Sequence, residues 1–216
     1  MELTWLGHSC FRLRGKEVTL VTDPPAPSTG YSIGRINADI VTLSHDHPGH
    51  SYVKAVAGNE PYIVRGPGEY EVRNVLITGI QTYHDEERGA RLGRNTIYLF
   101  HLDDLLICHL GDLGHTLGAR EQEAINGADV LLVPVGGGNT LDAKRAAEVV
   151  AQVEPQIIIP MHYATPALKP AAATLDSVEK FCHEMGVEVS EPLPKLAVTR
   201  GSMPPEPQVT LLAYKG

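Results

Sequence analysis

The sequence predicts a single α/β domain, residues 1–216, in which two β-sheets pack together and helices lie outside them. The early part of the chain is rich in short apolar or alternating runs, which are typical of β-strands. The later part alternates such runs with helical patterns, and two sheets with external helices accommodate both in one domain. A chain of 216 residues can bury a sizeable core without disulfides, and no Ser/Gly-rich or charge-rich linker divides it.

Apolar runs bounded by glycine, proline or polar residues predict the strands. A short antiparallel meander is expected at residues 3–6, 9–14 and 18–22, and a buried strand rich in branched side chains at residues 38–43. Further strands are expected at 62–64, 66–72 (a tight turn leading into a strand), 75–82, 95–101, 105–109, 130–135, 156–160, 187–189, 196–199 and 209–213. The predicted helices are 52–57 closed by Gly58-Asn59, 121–126 ending at Gly127, 142–153 with Thr140 as N-cap, and 174–185 with Gly186 as C-cap.

The composition limits the classes of partner. The formal net charge is −8 and the acidic residues are dispersed, which argues against a nucleic-acid-binding surface. Cys10, Cys108 and Cys182 are far apart, so we expect buried free thiols in a reducing compartment. The N-terminal residues lack the pattern of a signal peptide, and no apolar run approaches the ~20 residues that span a bilayer. We therefore expect a soluble, cytoplasmic protein that does not bind a membrane.

Three histidines, His45, His47 and His50, lie within six residues directly after the predicted strand 38–43. Ligand sites of open α/β sheets lie where strands leave the sheet. Neutral imidazole is the commonest metal ligand, and this spacing lets a tight turn aim several rings at one point. The other interpretation is a solvated, histidine-rich turn, which is disfavoured because further candidate ligands follow other predicted strands.

The downstream strands end at three more candidate ligands, which are His84, Asp112 and His162. Three protein ligands plus water are the pattern of an open catalytic zinc site. Two ions about 3.5–4 Å apart hold a water molecule between them and lower its pKa towards ~7, so that it is available as hydroxide. This arrangement suits hydrolysis of an ester, lactone, amide or phosphoester. The predicted division gives His45, His47 and His84 to a first ion, His50 and His162 to a second, and Asp112 to both.

These motifs resemble the metallo-β-lactamase superfamily. The segment 44–50 resembles its H-x-H-x-D-H motif, and His84, Asp112 and His162 match the later ligands in order. The resemblance covers nearly the whole chain and implies a four-layer αββα sandwich with the metal site along one edge of the two sheets. It leaves the substrate open, because one fold hosts many reactions. Segments 7–11, 22–24, 66–70 and 109–115 resemble the branch of small bacterial and archaeal metal-dependent hydrolases, and the ascorbate-6-phosphate lactonases are more distantly similar.

One position departs from the family's motif. Gly49 stands where the family has an aspartate that is usually a ligand of the second metal and often a proton shuttle. Glycine has no side chain, so three outcomes are open: the second metal binds weakly, Asp46 takes the place of the missing carboxylate, or catalysis is impaired. Zinc, as one or two ions, is the first choice of metal, and manganese, iron or nickel are the alternatives.

Several other polar residues have two interpretations each. His115 is either a general acid or substrate contact, or a surface residue. Asp23 either accepts hydrogen bonds behind the metal ligands or caps a turn. Tyr163 either holds an oxyanion or packs in the core. His109 is either a support for the ligands or a satisfied sheet residue, and His8 follows the first strand and is a weaker candidate for the site.

The leading functional hypothesis is a metal-dependent hydrolase in which a metal-bound hydroxide attacks a small-molecule ester, lactone or phosphoester. Asp112 and His115 are its candidate catalytic side chains. Arg88, Arg91 and Arg94 form the most basic segment, and they either hold an anionic substrate or belong to a solvated loop. The alternatives are a metal-binding scaffold without turnover, which the departure from the motif favours, and a nuclease, which the acidic charge disfavours. Self-association stays open, because the related lactonases assemble into oligomers.

Overall fold

The computed structural model describes residues 1–57, 60–169 and 174–214, which form two mixed β-sheets, a two-stranded sheet and three α-helices. The α-helices are α1 (Ala119–Ile125), α2 (Ala143–Val153) and α3 (Val178–Glu184), and short 3₁₀ helices lie at Pro27–Thr29, Val53–Ala55 and Arg200–Ser202. The strands are β1 (Glu2–Gly7), β2 (Cys10–Arg14), β3 (Thr19–Thr22), β4 (Ile36–Asn37), β5 (Ile40–Leu43), β6 (Val56–Ala57), β7 (Tyr62–Arg65), β8 (Gly68–Val72), β9 (Val75–Tyr83), β10 (Arg94–Leu102), β11 (Leu105–His109), β12 (Val130–Pro134), β13 (Ile157–Met161), β14 (Leu196–Ala197) and β15 (Gln208–Val209).

In each sheet, several strands run in the same direction, and their C-terminal ends therefore lie at one edge of the sheet. The first sheet has the order β14-β1-β2-β3-β5-β7, and the second has the order β15-β13-β12-β11-β10-β9-β8. In the first sheet, β2 is antiparallel to β1 and β3, and β5 is parallel to β3, so β1, β3 and β5 run the same way. In the second, β9, β11, β12 and β13 share one direction for the same reason. Strands that share a direction end at the same edge.

One hydrophobic cluster joins both sheets and the helices. Phe11 and Ile40 of the first sheet belong to it together with Phe100 of the second. Strands β12 and β13 are buried along their whole length, as is typical of parallel strands covered on both faces. Helix α2 turns a buried stripe towards this cluster and begins at Asp142, whose side chain accepts a hydrogen bond from the amide of Arg145 at 2.9 Å. The N-cap is therefore Asp142 rather than the predicted Thr140.

The opposite face of the first sheet carries a second, smaller cluster. Alternate residues of a strand point to opposite faces, so Val21 and Val41 belong to this cluster whereas their neighbours Leu20 and Ile40 join the large one. Buried side chains from residues 33–38 and from the β6 region cover this face.

Several predicted elements differ from the structure. Residues 52–57 form a 3₁₀ turn and then β6, because Val56 and Ala57 pair in parallel with β4; Gly58 and Asn59 lie outside the described residues. Residues 187–189 form no strand, and the side chains of Val187 and Val189 are exposed. The predicted helix 174–185 is shortened to α3 (Val178–Glu184), and the predicted strand 209–213 is replaced by β15 (Gln208–Val209) and an isolated bridge at Leu212.

The predicted α/β architecture of two facing sheets with external helices is confirmed. In the described part of the chain, the longest α-helix has 11 residues, and none is long and apolar enough to cross a membrane.

Candidate metal centre

Six strands deliver polar residues to one place. In the first sheet, His8 follows β1, Asp23 follows β3, and the histidine-rich turn 44–50 follows β5. In the second sheet, His84 follows β9, Asp112 comes three residues after β11, and His162 follows β13. All six strands run so that these ends lie at matching edges of the two sheets, and the site therefore straddles both sheets.

Asp112 is at the centre of the cluster. Its Oδ2 lies 3.0 Å from Nε2 of His50, 3.3 Å from Nε2 of His84, 3.5 Å from Nε2 of His162 and 3.8 Å from Nε2 of His45. The carboxylate and three of these four imidazoles are buried, and His45 is half-buried. A single carboxylate oxygen thus faces four ring nitrogens.

The cluster contains three sets of side chains whose candidate ligand atoms lie within 4.8 Å of one another. The structure brings together all six predicted ligands and adds His8, while the assignment of each residue to one ion stays a prediction. The three sets are His45 with His84 and Asp112, His45 with His47 and His50, and His8 with His50 and His162.

Hydrogen bonds behind the cluster orient the rings. Asp23 is fully buried and accepts hydrogen bonds from Nδ1 of His50 at 3.1 Å and from the amide of Ser44 at 2.7 Å. Nδ1 of His84 donates to the carbonyl of Asn139 at 2.8 Å. Each bond occupies Nδ1 and leaves Nε2 pointing at Asp112, which is the tautomer and orientation that a metal ligand needs. Asp23 is therefore a support for the ligands rather than only a turn cap.

Backbone strain is concentrated at the same place. His8, Asp23 and His162 have φ values of 53°, 38° and 52°, in the left-handed region that side chains rarely adopt. Among the described non-glycine residues with positive φ, these three are the buried ones. Strain of this kind persists where the surrounding structure enforces it, and it is common at functional sites.

The electrostatics of the site divide the imidazoles into two types. Burial lowers the pKa of His45 to about 3 and that of His162 to about 4, so both rings are neutral and keep a free lone pair near pH 7. Burial also acts to lower the pKa of His50, but the carboxylates of Asp112 and Asp23 outweigh it and raise that pKa to about 10. The surrounding histidines, above all His162 and His50, overcome the burial of Asp112 and hold its pKa well below the usual range.

The donor set fits a metal ion. Nε2 of His45 and of His50 are buried without a hydrogen-bond partner, although the latter lies only 3.0 Å from Asp112 Oδ2. A buried polar atom without a partner costs about 1–3 kcal/mol, so several at one point call for a common partner. Imidazoles and a carboxylate suit zinc, iron, nickel or manganese.

Four further polar residues have resolved positions. His115 lies outside the histidine cluster: its Nε2 accepts a hydrogen bond from the amide of Tyr83 at 3.2 Å and its Nδ1 donates to Thr116, so neither ring nitrogen is free. Tyr163 is buried against Trp5 and packs in the core. His109 is a satisfied sheet residue that donates to the carbonyl of Ser9. Asp46 is exposed, accepts a hydrogen bond from Ser51, and lines the same cavity as the candidate ligands.

Sequence reasoning did not single out the residues that fix Asp112. Ser9 donates its hydroxyl to Oδ1 of Asp112, and Asn95 accepts the Asp112 amide at 3.0 Å. Neither residue belongs to a spacing pattern with Asp112, because they come from distant strands. The available signals were the place of Ser9 in the segment 7–11 that resembles the family branch, and the position of Asn95 near the start of β10, which borders the site.

A cavity of about 350 Å³ lies against the cluster and is lined by its histidines, Asp112, Leu92, Asn139 and Leu175. A neighbouring cleft of about 260 Å³ shares His84, Leu92 and Asn139 with the cavity and adds Arg91 and Arg145. The cluster of candidate ligands is thus accessible to a molecule of modest size.

Comparison with known proteins identifies the class to which this fold and site belong. Residues 2–162 match the family model of the beta-lactamase superfamily domain. The chain belongs to the metallo-beta-lactamase superfamily. A candidate Zn-dependent hydrolase of this superfamily from Thermotoga maritima is 37% identical, with a TM-score of 0.79 and coverage of 98% of this chain and 97% of that one.

Within the superfamily, the chain belongs to the UPF0173 metal-dependent hydrolase family. The member from Thermoplasma acidophilum is 26% identical over 190 residues, which cover 76% of this chain and 84% of that protein. The member from Desulforamulus reducens is 29% identical over 195 residues, which cover 76% of this chain and 85% of that protein. The predicted family and fold are therefore confirmed.

Proposed function

We propose that this chain hydrolyses an ester, lactone or phosphoester of a small molecule with the help of one or two zinc ions. The observation that carries the proposal is the Asp112 carboxylate, whose Oδ2 lies within 3.8 Å of four imidazole Nε2 atoms in a cavity of about 350 Å³. Membership in a metal-dependent hydrolase family supports the same reaction type.

In the predicted division, His45, His47 and His84 would hold one ion, His50 and His162 would hold the other, and Asp112 would contribute to both. A bound ion would supply positive charge that polarises the substrate and makes a water molecule acidic enough to attack at neutral pH. We assign no step to His115 because both of its nitrogens are engaged elsewhere.

The rest of the chain controls orientation and access. Asn139 and Asp23 fix the rings of His84 and His50 through their Nδ1 atoms, so the ligands need little rearrangement. Leu92 and Leu175 form apolar walls of the cavity beside the cluster. These walls limit the access of water, and the cavity suits a small substrate.

Metal removal and loss of one ligand test the hydrolase proposal together. We expect the metal-depleted protein and His45→Ala to lose hydrolysis of aryl esters, lactones or phosphodiesters, and zinc to restore activity only to the wild type. The matched control is His183→Ala, an exposed histidine on α3 that is remote in sequence from the ligands. A zinc-loaded wild type inert to the whole panel contradicts the proposal and favours a metal-binding scaffold.

The cleft beside the cavity supports an anionic substrate. The Asp85 carboxylate accepts hydrogen bonds from the amides of Arg91 at 3.0 Å and Leu92 at 2.7 Å, which fixes this loop against the cavity. The guanidinium of Arg91 is mostly exposed, and its nearest acidic partner, Glu87, lies 4.0 Å away, so Arg91 is available to a substrate anion.

We expect Arg91→Gln to raise KM for a phosphorylated substrate about five-fold, because an exposed ion pair contributes up to ~1 kcal/mol. The measurement is steady-state kinetics on paired phosphorylated and neutral esters. Arg88→Gln is the matched control, because Arg88 lies in the same loop but lines a different cleft. An equal effect of Arg91→Gln on the neutral ester would show that the arginine does not recognise charge.

A further inference from the structure

The turn between β1 and β2 places one more histidine in the cluster of candidate ligands. We propose that His8 is a direct ligand of the second metal ion, beside His50 and His162, and that it fills the position that Gly49 leaves without a side chain. The inference rests on the proposed function for the presence of the ion, but it concerns a residue outside the six predicted ligands.

His8 has the location and the free atoms of a ligand. Its candidate ligand atom lies within 4.8 Å of those of both His50 and His162. The ring centroid of His8 is 4.1 Å from that of His162 and 4.8 Å from that of His50. The residue is 5% exposed, lines the cavity, and has a buried Nδ1 without a hydrogen-bond partner.

The His8 ring occupies the space that a side chain at position 49 would need. A Cβ built on Gly49 lies 3.0 Å from Nε2 of His8 and 3.1 Å from Nδ1 of His47. This contact is tighter than an ordinary one, so a side chain at position 49 would require the His8 ring to shift by a few tenths of an ångström in a close-packed interior. The cluster therefore has two alternative ways to complete the second site: a carboxylate from the β5 turn, or an imidazole from the β1 turn.

The backbone holds His8 in this position at the expense of strain. Its φ of 53° is left-handed, and Gly7 before it has φ of 98° and packs so closely on the Tyr31 ring that a Cβ would lie 2.2 Å from it. The carbonyl of His8 accepts hydrogen bonds from Nε1 of Trp5 at 2.9 Å and from the amide of His162 at 3.1 Å. The second bond ties His8 directly to another ligand, across the two sheets.

Zinc titration of metal-depleted protein, with elemental analysis after dialysis, tests the inference without an activity assay. We expect two ions in the wild type and one in His8→Gly, with the second ion bound at least ~100-fold more weakly. Loss of an outer support already costs about 10–100-fold in affinity, and a direct ligand contributes more. Glycine adopts positive φ without penalty, and His8→Asn is a second variant that tolerates the same backbone. Circular dichroism checks that each variant is folded.

The double variant His8→Gly, Gly49→Asp gives the most discriminating test of zinc binding, because removal of the imidazole makes room for the new carboxylate. We expect it to bind two ions again, and His101→Ala, an exposed histidine on β10, to bind two as well. Unchanged binding of the second ion in folded His8→Gly or His8→Asn overturns the inference, and so does a wild type that binds one ion. A wild type that binds no ion overturns the proposed function itself.

Discussion

Asp112→Asn is expected to abolish binding of both metal ions and to reduce hydrolysis to the uncatalysed rate. The substitution keeps the size of the side chain but removes its negative charge. In the wild type, four imidazole Nε2 atoms lie within 3.8 Å of Oδ2. In the variant, the metal ions and any protonated imidazole at this place lose the anion that faces all four rings. A buried charge without its partner is strongly unfavourable. Elemental analysis and zinc titration measure the loss, which we expect to exceed ~100-fold in affinity.

Asp129→Asn is the matched control for Asp112→Asn. Asp129 is also a buried carboxylate of the second sheet, but it precedes β12, accepts the amide of Leu106 and pairs with Arg200. We expect this variant to lose some stability and to keep two ions. Wild-type metal content in Asp112→Asn would remove Asp112 from the site and with it the proposed arrangement of ligands.

Asp23→Asn is expected to weaken metal binding by about 10–100-fold while the ligands themselves remain in place. Asp23 is fully buried and directs Nδ1 of His50 while also holding the amide and hydroxyl of Ser44. The carboxylates of Asp112 and Asp23 together raise the pKa of His50, and an amide at position 23 removes the second of these charges, so Nε2 becomes a poorer donor to the ion. Zinc titration measures the affinity, and thermal unfolding of the metal-depleted protein separates it from a loss of stability.

Asp39→Asn controls for the removal of any carboxylate from this sheet. Asp39 lies at the start of β5, at the opposite end from the ligands, and accepts the amide of Thr19 at 2.9 Å. We expect unchanged zinc affinity in this variant. If Asp23→Asn and Asp39→Asn reduced affinity equally, the effect would be on the sheet as a whole and not on the orientation of His50.

The class of fold and the composition of the cluster follow from patterns that are local in the sequence. Apolar runs of strand length marked β5, β9, β11 and β13, and a candidate ligand followed each of them. The sequence indicates this placement because polar residues follow a strand where it leaves the sheet. The ends of strands that share a direction then lie at one edge of the sheet. The predicted helix 52–57 was wrong because Ile36 of β4, 20 positions before Val56, offers Val56 a strand partner that the local pattern does not reveal.

Which groups complete and support the site depends on how distant strands pack together, and no local pattern in the sequence shows it. The sequence alone indicates that Gly49 removes a ligand, and no local pattern connects it to His8, which lies 41 positions away in the turn between β1 and β2. Packing of the two sheets brings the His8 ring into the space beside Gly49, places Asp23 behind His50, and turns His115 towards the Tyr83 amide. The physical reason is that ligand identity follows from strand ends, which are local, whereas occupied volume and hydrogen-bond partners depend on how distant strands meet.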